Sequence, residues 1–351
     1  MCIVLHMDVA YSLPELRIGV ESRIRLFFTA EKRNPTFFYN PLKEFVMNGG
    51  KRIRPILCGM AFKAAGGKGI TPALIDAAAA IEMIHDFSLI HDDIEDGSLL
   101  RRGVPAMHLQ FGVPYAVNAG DGLLACAFEL LSSSKNLEPS SLRASLIREI
   151  SEAVAGMCEG QALDIQWATD GKALESVSSA DYVRMAGLKT GCLFSACTAA
   201  GLMLSGTSRA TDAKRADAFR DYGRALGIAF QIQDDVLNFS GSGKEYGKMI
   251  GDDVIEGKKT LLLIRAYELS SSKERETLRT IYSKKKRSFS DAARVASVFR
   301  KHHAEILSYS RDAAVKGLDS SRPAFVKACG NKEFLEKFME LERFVLVKRR
   351  A

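Results

Sequence analysis

The amino-acid sequence predicts an all-α fold that forms one domain over residues 1–351. Hydrophobic residues make up 47% of the chain and aromatic residues 8%, a content typical of a globular protein with one large core. Apolar residues recur at helical spacing. The sequence has no succession of alternating β-branched segments bounded by turn pairs. Most of the chain is therefore expected to be helical.

Individual helices can be located from apolar spacing and from helix-start and helix-stop residues. Thr71 followed by Pro72 predicts an N-cap with proline at the first helical position, and this helix is expected to run through Ile90. Further helices are predicted at 115–134, 141–168, 180–204, 212–239 and 253–270. The region at about 271–351 is charged, serine-rich and helical in pattern, and it carries no functional prediction.

The charge of the chain is formally +7, from 49 basic and 42 acidic residues that are mixed along its length. Such a mixture does not indicate a nucleic-acid-binding surface by itself, and it suits a small anionic substrate equally well. The dense basic run at 284–287 lies between two serines and is interpreted as a solvated turn. No nucleic-acid partner is predicted.

Cysteine usage and the N-terminus indicate the compartment. The seven cysteines are odd in number, scattered and never arranged as C-x-x-C, so neither a disulfide framework nor a zinc site is indicated. The apolar start, Met1 to His6, is too short for a signal peptide. No later stretch reaches the length of a membrane span. We therefore expect a cytoplasmic protein without an integral membrane segment.

A first acidic motif lies near the end of the predicted helix that begins at Pro72. Asp92 and Asp96 are four residues apart, so their carboxylates lie on one face of the helix, one turn apart. A bound cation would relieve their repulsion, and an oxygen-only site of this kind suits Mg²⁺. The alternative interpretation is a polar helix end with solvated acids.

A second acidic motif favours the metal site. The segment F-Q-I-Q-D-D-V-L-N at 230–238 places Asp234, Asp235 and Asn238 directly after an apolar helical run. Side chains from facing helices of a bundle can converge on one metal cluster while the rest of the cavity stays apolar. The two motifs together predict a magnesium centre.

Cationic residues stand next to the acidic ones. Gly49 to Pro55 reads G-G-K-R-I-R-P, and Arg101-Arg102-Gly103 follows the first acidic motif. The guanidinium fork of arginine matches phosphate oxygens, and lysine adds a compact charge. Metal-binding acids and phosphate-binding bases within 92–102 predict a diphosphate substrate.

These motifs resemble those of the trans-isoprenyl diphosphate synthases, the polyprenyl synthetase family that includes farnesyl and geranylgeranyl diphosphate synthases. The resemblance covers about residues 40–268. It rests on GGKRIRP, HDDIEDGSLLRRG, KTG at 189–191, FQIQDDVLN, and GKMIGDDVIEGKKT at 247–260, in the order of the family. It implies a helical bundle of the isoprenoid synthase type with a central apolar cavity. It also implies a homodimeric, Mg²⁺-dependent prenyltransferase that condenses isopentenyl diphosphate with dimethylallyl, geranyl or farnesyl diphosphate.

The resemblance implies roles for individual residues. The isopentenyl diphosphate site would comprise Lys51, Arg54, His85 and Arg102. The allylic diphosphate site would comprise Arg101, Lys189, Thr190, Gln231, Lys248 and Lys258. The magnesium ligands would be Asp92, Asp96 and Asp234, and Asp93 and Asp235 would complete the catalytic set with Lys189 and Gln231. Taken alone, His85 would be interpreted as a core histidine, and Lys248 and Lys258 as surface lysines.

Product length is the next implication. In the family, the residues just before the first acidic motif form the floor of the pocket, and here they are the aromatic Phe87 and the small Ser88. This pattern resembles the archaeal-type geranylgeranyl diphosphate synthases, so a geranylgeranyl product is expected, with farnesyl diphosphate as the alternative. Asn238 departs from the aspartate of many family members. Since an amide oxygen still accepts or coordinates, activity is expected to survive.

Two other functions are compatible with part of this pattern. A terpene cyclase also ionises an allylic diphosphate through acid-rich helices, but it has no second diphosphate for Lys51, Arg54, His85 and Arg102 to hold. A non-catalytic regulatory subunit of a prenyl synthase would be expected to have lost acidic motifs. Here the first motif is intact and the second nearly so, which favours the enzyme.

Overall fold

The computed structural model describes residues 13–29, 33–169, 174–207, 212–240 and 251–348. The apolar start of the chain and Lys248 lie outside these ranges. The described helices, α1 to α16 in chain order, are Pro14–Thr29, Thr36–Met47, Ile53–Ala64, Pro72–Glu95, Met107–Phe111, Val113–Ser133, Ser140–Thr169, Ser179–Ala186, Cys192–Leu204, Ala213–Ser240, Asp252–Glu256, Leu261–Leu269, Ser272–Tyr282, Phe289–Lys301, His303–Ala328 and Lys332–Arg343. A 3₁₀ turn at Leu174–Ser176 and π-helical turns at Gly187–Gly191 and Phe344–Lys348 complete the helical structure. The all-α prediction is confirmed.

Helix α4 begins as the sequence predicts. The Thr71 hydroxyl accepts a hydrogen bond from the Leu74 backbone N–H at 3.2 Å, and Pro72 occupies the first turn. The helix continues to Glu95, beyond the predicted end at Ile90. The predictions for α6, α7 and α10 agree with the structure to within two residues at each end.

Two predicted helices are interrupted. A π-helical turn at Gly187–Gly191 divides the predicted helix 180–204. The prediction of one helix at 253–270 is wrong, because Gly257 ends Asp252–Glu256 in the left-handed region, at φ 87°. Thr260 then caps a new helix, Leu261–Leu269, and accepts from the Leu263 N–H at 3.3 Å.

A small β-hairpin was not predicted. Leu100–Arg101 pairs antiparallel with Val104–Pro105. Its two turn residues, Arg102 and Gly103, have φ values of 52° and 81°, and positive values at both positions are typical of a type I′ turn. Strands this short show no alternating pattern that could be read in a sequence.

Contacts group the chain into two compact units. The described residues of the first unit lie within 13–154, 193–223 and 323–341. In this unit α4 packs against α1, α3 and α6, and its alanine run at 77–80 is fully buried. Small side chains let neighbouring helices approach α4 on several sides. The first acidic motif therefore extends from a firmly packed central helix.

The described residues of the second unit lie within 155–192, 224–322 and 342–348. It has its own hydrophobic core, which includes Leu263, Leu278, Ile281 and Val295. The organisation of 1–351 as a single domain with a central apolar cavity stays a prediction.

The expectation that no stretch reaches the length of a membrane span is wrong: among the described residues, the helical stretch Ser179–Leu204 is long and apolar enough by length and composition. Within the protein, 83% of the apolar segment of this stretch is buried. Such burial is typical of a core helix, which meets the same criterion.

Ser178 provides a test of how α8 is held. Its hydroxyl accepts from the Asp181 N–H at 3.2 Å, and the Asp181 carboxylate accepts from the Ser178 N–H at 2.9 Å. Because Ser178→Ala removes one of these caps, it is expected to lower the free energy of unfolding by about 1 kcal/mol. Urea denaturation measures this change. Ser151→Ala, at an exposed position inside α7, is the control, and an equal loss in both variants would contradict the capping role.

Candidate active site

Besides Asp76, which is paired with Arg23 near the start of the helix, α4 carries three buried carboxylates that are each paired with an arginine. The pairs are Glu82 with Arg52, Asp86 with Arg102, and Asp93 with Arg101. These carboxylates are at most 2% exposed. Buried charges are strongly destabilising unless they are paired and hydrogen-bonded. The three pairs therefore fix both the acids and the arginines.

Arg52 is buried within the G-G-K-R-I-R-P segment. It lies at the N-terminus of α3 with φ 51° and is 2% exposed. Its Nη1 donates to Glu82 Oε1 at 2.8 Å, and its Nη2 donates to the Val46 carbonyl at 2.5 Å. The positive φ strains a residue with a side chain, and the two hydrogen bonds hold it there.

Arg102 connects the hairpin turn with the segment around Gly50. Its Nη2 donates to Asp86 Oδ1 at 2.7 Å, and its Nη1 donates to the Phe45 carbonyl at 3.3 Å. A Cβ at Gly50 would lie 3.3 Å from Nη2, so the glycine lets the backbone approach the guanidinium closely. The structure thus brings the two predicted phosphate-binding motifs of the first unit together.

Arg101 and Asp93 form a two-pronged contact. The Arg101 Nε lies 3.0 Å from both carboxylate oxygens of Asp93, and its Nη2 also donates to Oδ1. Asp93 is 1% exposed. It therefore points into the protein and orients Arg101.

Asp92 and Asp96 are partly exposed on α4. The Asp96 N–H donates to the Asp92 carbonyl at 2.8 Å, which confirms that the two residues lie one helical turn apart. Asp96 is the C-terminal residue that caps α4. The spacing expected from the sequence is therefore present.

These two carboxylates fit a magnesium ion. In the described part of the chain, no group of three or more His, Cys, Asp or Glu side chains is arranged as a ready metal site. Mg²⁺ is commonly bound by one or two carboxylates together with waters and substrate phosphates. Asp92 and Asp96 are hard oxygen donors on one face, as this coordination requires.

His85 lies among the arginines of the first unit. Burial and the nearby charges of Arg54 and Arg102 hold the pKa of its imidazole well below the ordinary value of 6.5. Its Nδ1 is buried and has no hydrogen-bond partner within the residues that the structure describes. A neutral imidazole with an unused nitrogen can donate to or accept from a ligand. The core-histidine interpretation leaves this nitrogen unexplained.

Lys51 and Arg54 lie on either side of Arg52 and Ile53. Lys51 is exposed and Arg54 is partly buried, with its guanidinium carbon 5.2 Å from the centre of the Phe194 ring. This cation–π contact orients the arginine. The first unit therefore contains all four residues predicted for the isopentenyl site, and Arg54, His85 and Arg102 are close enough to interact electrostatically.

The second unit contains a buried network around Asp235. The Tyr182 hydroxyl donates to Asp235 Oδ2 at 2.6 Å, and Gln231 Nε2 donates to Oδ1 at 3.0 Å. Thr190 Oγ1 donates to Gln231 Oε1 at 2.7 Å. Burial raises the pKa of the Asp235 carboxyl to about 7, and the two hydrogen bonds to it oppose the rise. Thr190 and Gln231, which are both predicted for the allylic site, are therefore joined by a direct hydrogen bond.

Lys189 lies on the π-helical turn at Gly187–Gly191. Its Nζ donates to Asp164 Oδ2 at 2.7 Å. A Cβ at Gly160 would lie only 2.2 Å from the Lys189 backbone nitrogen, so this glycine permits close packing of α7 on the turn. The turn and the ion pair together fix the ammonium group.

Asp234 and Asn238 of the second motif lie on α10, and Lys258 of the 247–260 segment follows α11. Asp234 is partly exposed and Lys258 partly buried, with the Lys258 Nζ 2.6 Å from Glu256 Oε2. The buried Asn238 accepts from the Asp253 N–H through its side-chain oxygen at 3.5 Å. An amide oxygen thus supplies the acceptor that a carboxylate would supply.

Phe87 and Ser88 precede the first acidic motif on α4. Phe87 is 7% exposed. Ser88 is partly buried, and its hydroxyl donates to the His85 carbonyl at 2.7 Å. Their role in product length stays a prediction.

Sequence reasoning missed four residues of this arrangement. They are Arg52, Asp86, Tyr182 and Asp164. Asp86 had a readable signal, because a carboxylate four residues after Glu82 in an apolar helical run requires buried partners. Tyr182 and Asp164 had none, since their partners are 53 and 25 residues away.

The family model for polyprenyl synthetase matches residues 35–300. The chain belongs to the polyprenyl synthetase family. Members of this family include the short chain isoprenyl diphosphate synthase of Methanothermobacter thermautotrophicus, which is 40% identical over 239 residues, 68% of this chain and 70% of that protein. The predicted family is therefore confirmed.

The chain is also similar to two further polyprenyl synthetases, one compared by sequence and one by structure. The geranylgeranyl diphosphate synthase of Methanosarcina mazei is 38% identical over 234 residues, 67% of this chain and 68% of that protein. The crystal structure of geranylgeranyl pyrophosphate synthase from Corynebacterium glutamicum, complexed with isoprenyl diphosphate and magnesium, has a TM-score of 0.80 at 28% identity. It covers 96% of this chain and 99% of that chain.

The Asp86 carboxyl gives a testable pH dependence. Burial, followed by the charge of Glu82, raises its pKa from 3.8 to about 7. Between these values the folded state binds more protons than the unfolded state, so folding is stabilised as the pH falls. As the pH falls from about 7 to about 5, the free energy of unfolding of the wild type is therefore expected to rise relative to that of Asp86→Asn. The expected rise is up to about 1.4 kcal/mol per pH unit. Urea denaturation at several pH values measures the difference, and a constant difference would contradict the raised pKa.

Proposed function

We propose that this protein is a magnesium-dependent trans-prenyltransferase that condenses isopentenyl diphosphate with dimethylallyl, geranyl or farnesyl diphosphate to make geranylgeranyl diphosphate. The observation that carries the proposal is the cluster of Arg54 and Arg102 around the neutral His85 of α4, the helix that also carries Asp92 and ends at Asp96. The geranylgeranyl product is supported by the Methanosarcina mazei relative.

Isopentenyl diphosphate is held by Lys51, Arg54, His85 and Arg102. Asp86 keeps Arg102 in place, so the guanidinium needs no reorganisation when the diphosphate arrives. The unused Nδ1 of His85 offers a hydrogen bond to a phosphate oxygen.

The allylic diphosphate is held by a second set of residues. They are Arg101, Lys189, Thr190, Gln231, Lys248 and Lys258. Asp93 and Asp164 orient Arg101 and Lys189, as preorganised donors require. These cationic groups stabilise the charge that develops on the departing diphosphate.

Asp92, Asp96 and Asp234 hold the magnesium, with Asp93 and Asp235 as supporting acids. When bound, the metal neutralises charge on the leaving diphosphate. Asp235 is itself fixed by Tyr182 and Gln231. A fixed network keeps the neighbouring Asp234 at a constant position along α10.

Carbon–carbon bond formation follows ionisation. The double bond of isopentenyl diphosphate attacks the allylic cation, and the released diphosphate accepts the proton that is lost. Backbone and side-chain carbonyl dipoles near Lys189 and Gln231 stabilise the cation. Apolar surroundings exclude water until the new bond has formed.

Phe87 ends the pocket for the growing chain, and the smaller Ser88 leaves room beside it. One aromatic side chain at this level suits a geranylgeranyl product. A cytoplasmic location is supported by the free thiols of the described cysteines.

Kinetics with purified protein tests the function. With Mg²⁺, isopentenyl diphosphate and each allylic primer, dephosphorylation and sizing of the alcohols is expected to yield mainly geranylgeraniol. Arg102→Lys is expected to raise KM for isopentenyl diphosphate about tenfold, equivalent to about 1.4 kcal/mol, because lysine cannot reproduce the arginine fork. Arg101→Lys is the matched variant and is expected to raise KM for the allylic primer instead.

Three outcomes separate the alternatives. Farnesol as the end product would retain the enzyme class and contradict the product length. No Mg²⁺-dependent elongation from any primer would favour a non-catalytic regulatory subunit. Equal effects of the two lysine variants on both KM values would contradict the separate diphosphate sites.

A homodimer is supported by exposed apolar side chains before and along α6. Leu99, Leu109, Phe111, Val113 and Val117 are each at least 42% exposed. Exposed apolar patches are typical of protein interfaces, and one face can pair with itself about a two-fold axis. Phe111→Glu is expected to convert the dimer into monomers of 38.5 kDa, as measured by light scattering. A wild type of that mass would contradict the dimer.

A further inference from the structure

The side chain of His91 on α4 lies against Gly120 on α6, in a space that any larger residue at position 120 would fill. A Cβ built on Gly120 would lie 2.2 Å from His91 Nε2 and 2.4 Å from its Cδ2. Both distances are far below van der Waals contact. The imidazole of α4 is therefore seated directly on the backbone of α6.

Hydrogen bonding fixes the imidazole in this seat. Its Nε2 lies 3.2 Å from the Val117 carbonyl oxygen, and because a carbonyl only accepts, Nε2 carries the proton. The carboxylate of Asp121 lies 3.7 Å from the same nitrogen. Three successive contacts on one turn of α6 thus define the position of the ring.

The imidazole also contacts the ring of Phe87. The two residues are one helical turn apart, with ring centroids 5.5 Å apart and an interplanar angle of 83°. This edge-to-face arrangement is a favoured geometry for aromatic pairs. The orientation of Phe87 therefore depends on a ring that α6 holds.

We propose that His91 is a positioning residue for product length, because it transmits the position of α6 to the Phe87 ring. This inference rests on the proposed function, in which Phe87 ends the pocket of the growing chain. If the imidazole is removed, Phe87 can turn into the vacated space and the pocket becomes deeper. If the imidazole is pushed away from α6, Phe87 moves toward the pocket and shortens it.

The test compares product lengths among four variants in the complete enzyme with Mg²⁺. His91→Ala is expected to raise the ratio of longer products to geranylgeranyl diphosphate about tenfold, the effect of a methylene-sized change in an apolar pocket. His91→Phe keeps a ring against Phe87 and is expected to retain the wild-type distribution. Gly120→Ala is expected to shift the products toward farnesyl diphosphate.

Gly122→Ala is the matched control on the same helix. A Cβ at Gly122 would lie 2.3 Å from the Phe38 ring, so it creates an overlap of similar size away from His91. Gly122→Ala is expected to lower the thermal unfolding temperature about as much as Gly120→Ala does. It is expected to leave the product length unchanged. A merely structural role of His91 would make the two glycine variants behave alike.

The outcomes are distinguishable from failure of the proposed function. A wild type that does not elongate any primer would overturn that function. A wild type that elongates, with unchanged product lengths in His91→Ala and Gly120→Ala, would overturn the inference alone. If His91→Ala is inactive because Asp92 is adjacent, the comparison of Gly120→Ala with Gly122→Ala decides the question.

Discussion

The candidate site of the first unit depends on ion pairs between buried carboxylates of α4 and arginines outside this helix. Removing both charges from water is costly, and only close, multiply hydrogen-bonded geometry offsets that cost. Asp93–Arg101 meets this condition through both carboxylate oxygens. Asp86 accepts one close hydrogen bond from Arg102, and its Oδ2 has no hydrogen-bond partner among the described residues. Arg102 occupies a left-handed backbone conformation in a two-residue hairpin turn, which is unfavourable without such support. The packing of α4 therefore determines where the guanidinium groups lie before any ligand binds.

Burial and neighbouring charges together set the protonation states around the site. Four arginines near His85 add to the effect of burial and keep its imidazole neutral. Burial and Glu82 bring the pKa of the Asp86 carboxyl to about 7, within the physiological range.

The buried Asp235 of the second unit is held by hydrogen bonds from neutral groups, whereas the buried carboxylates of α4 are paired with arginines. Tyr182 and Gln231 satisfy both oxygens of Asp235, and Thr190 in turn fixes Gln231. At Asn238, the departure from the usual family aspartate, the side-chain oxygen accepts from the Asp253 backbone. That contact requires an acceptor but no charge, which gives a physical reason why asparagine is compatible with this position.

The sequence by itself determined the helical class, the start of α4 at Thr71 and the one-turn spacing of Asp92 and Asp96, because these follow from capping and from helical periodicity within a few residues. Its five motifs also identified the family. Tertiary structure alone decided that Arg52 is buried against Glu82, that Asp164 holds Lys189, and that Gly120 receives the ring of His91. These contacts join residues 25 to 30 positions apart in the chain. Such pairs are selected by helix packing and by the requirement that buried charges find partners, neither of which can be read from local spacing.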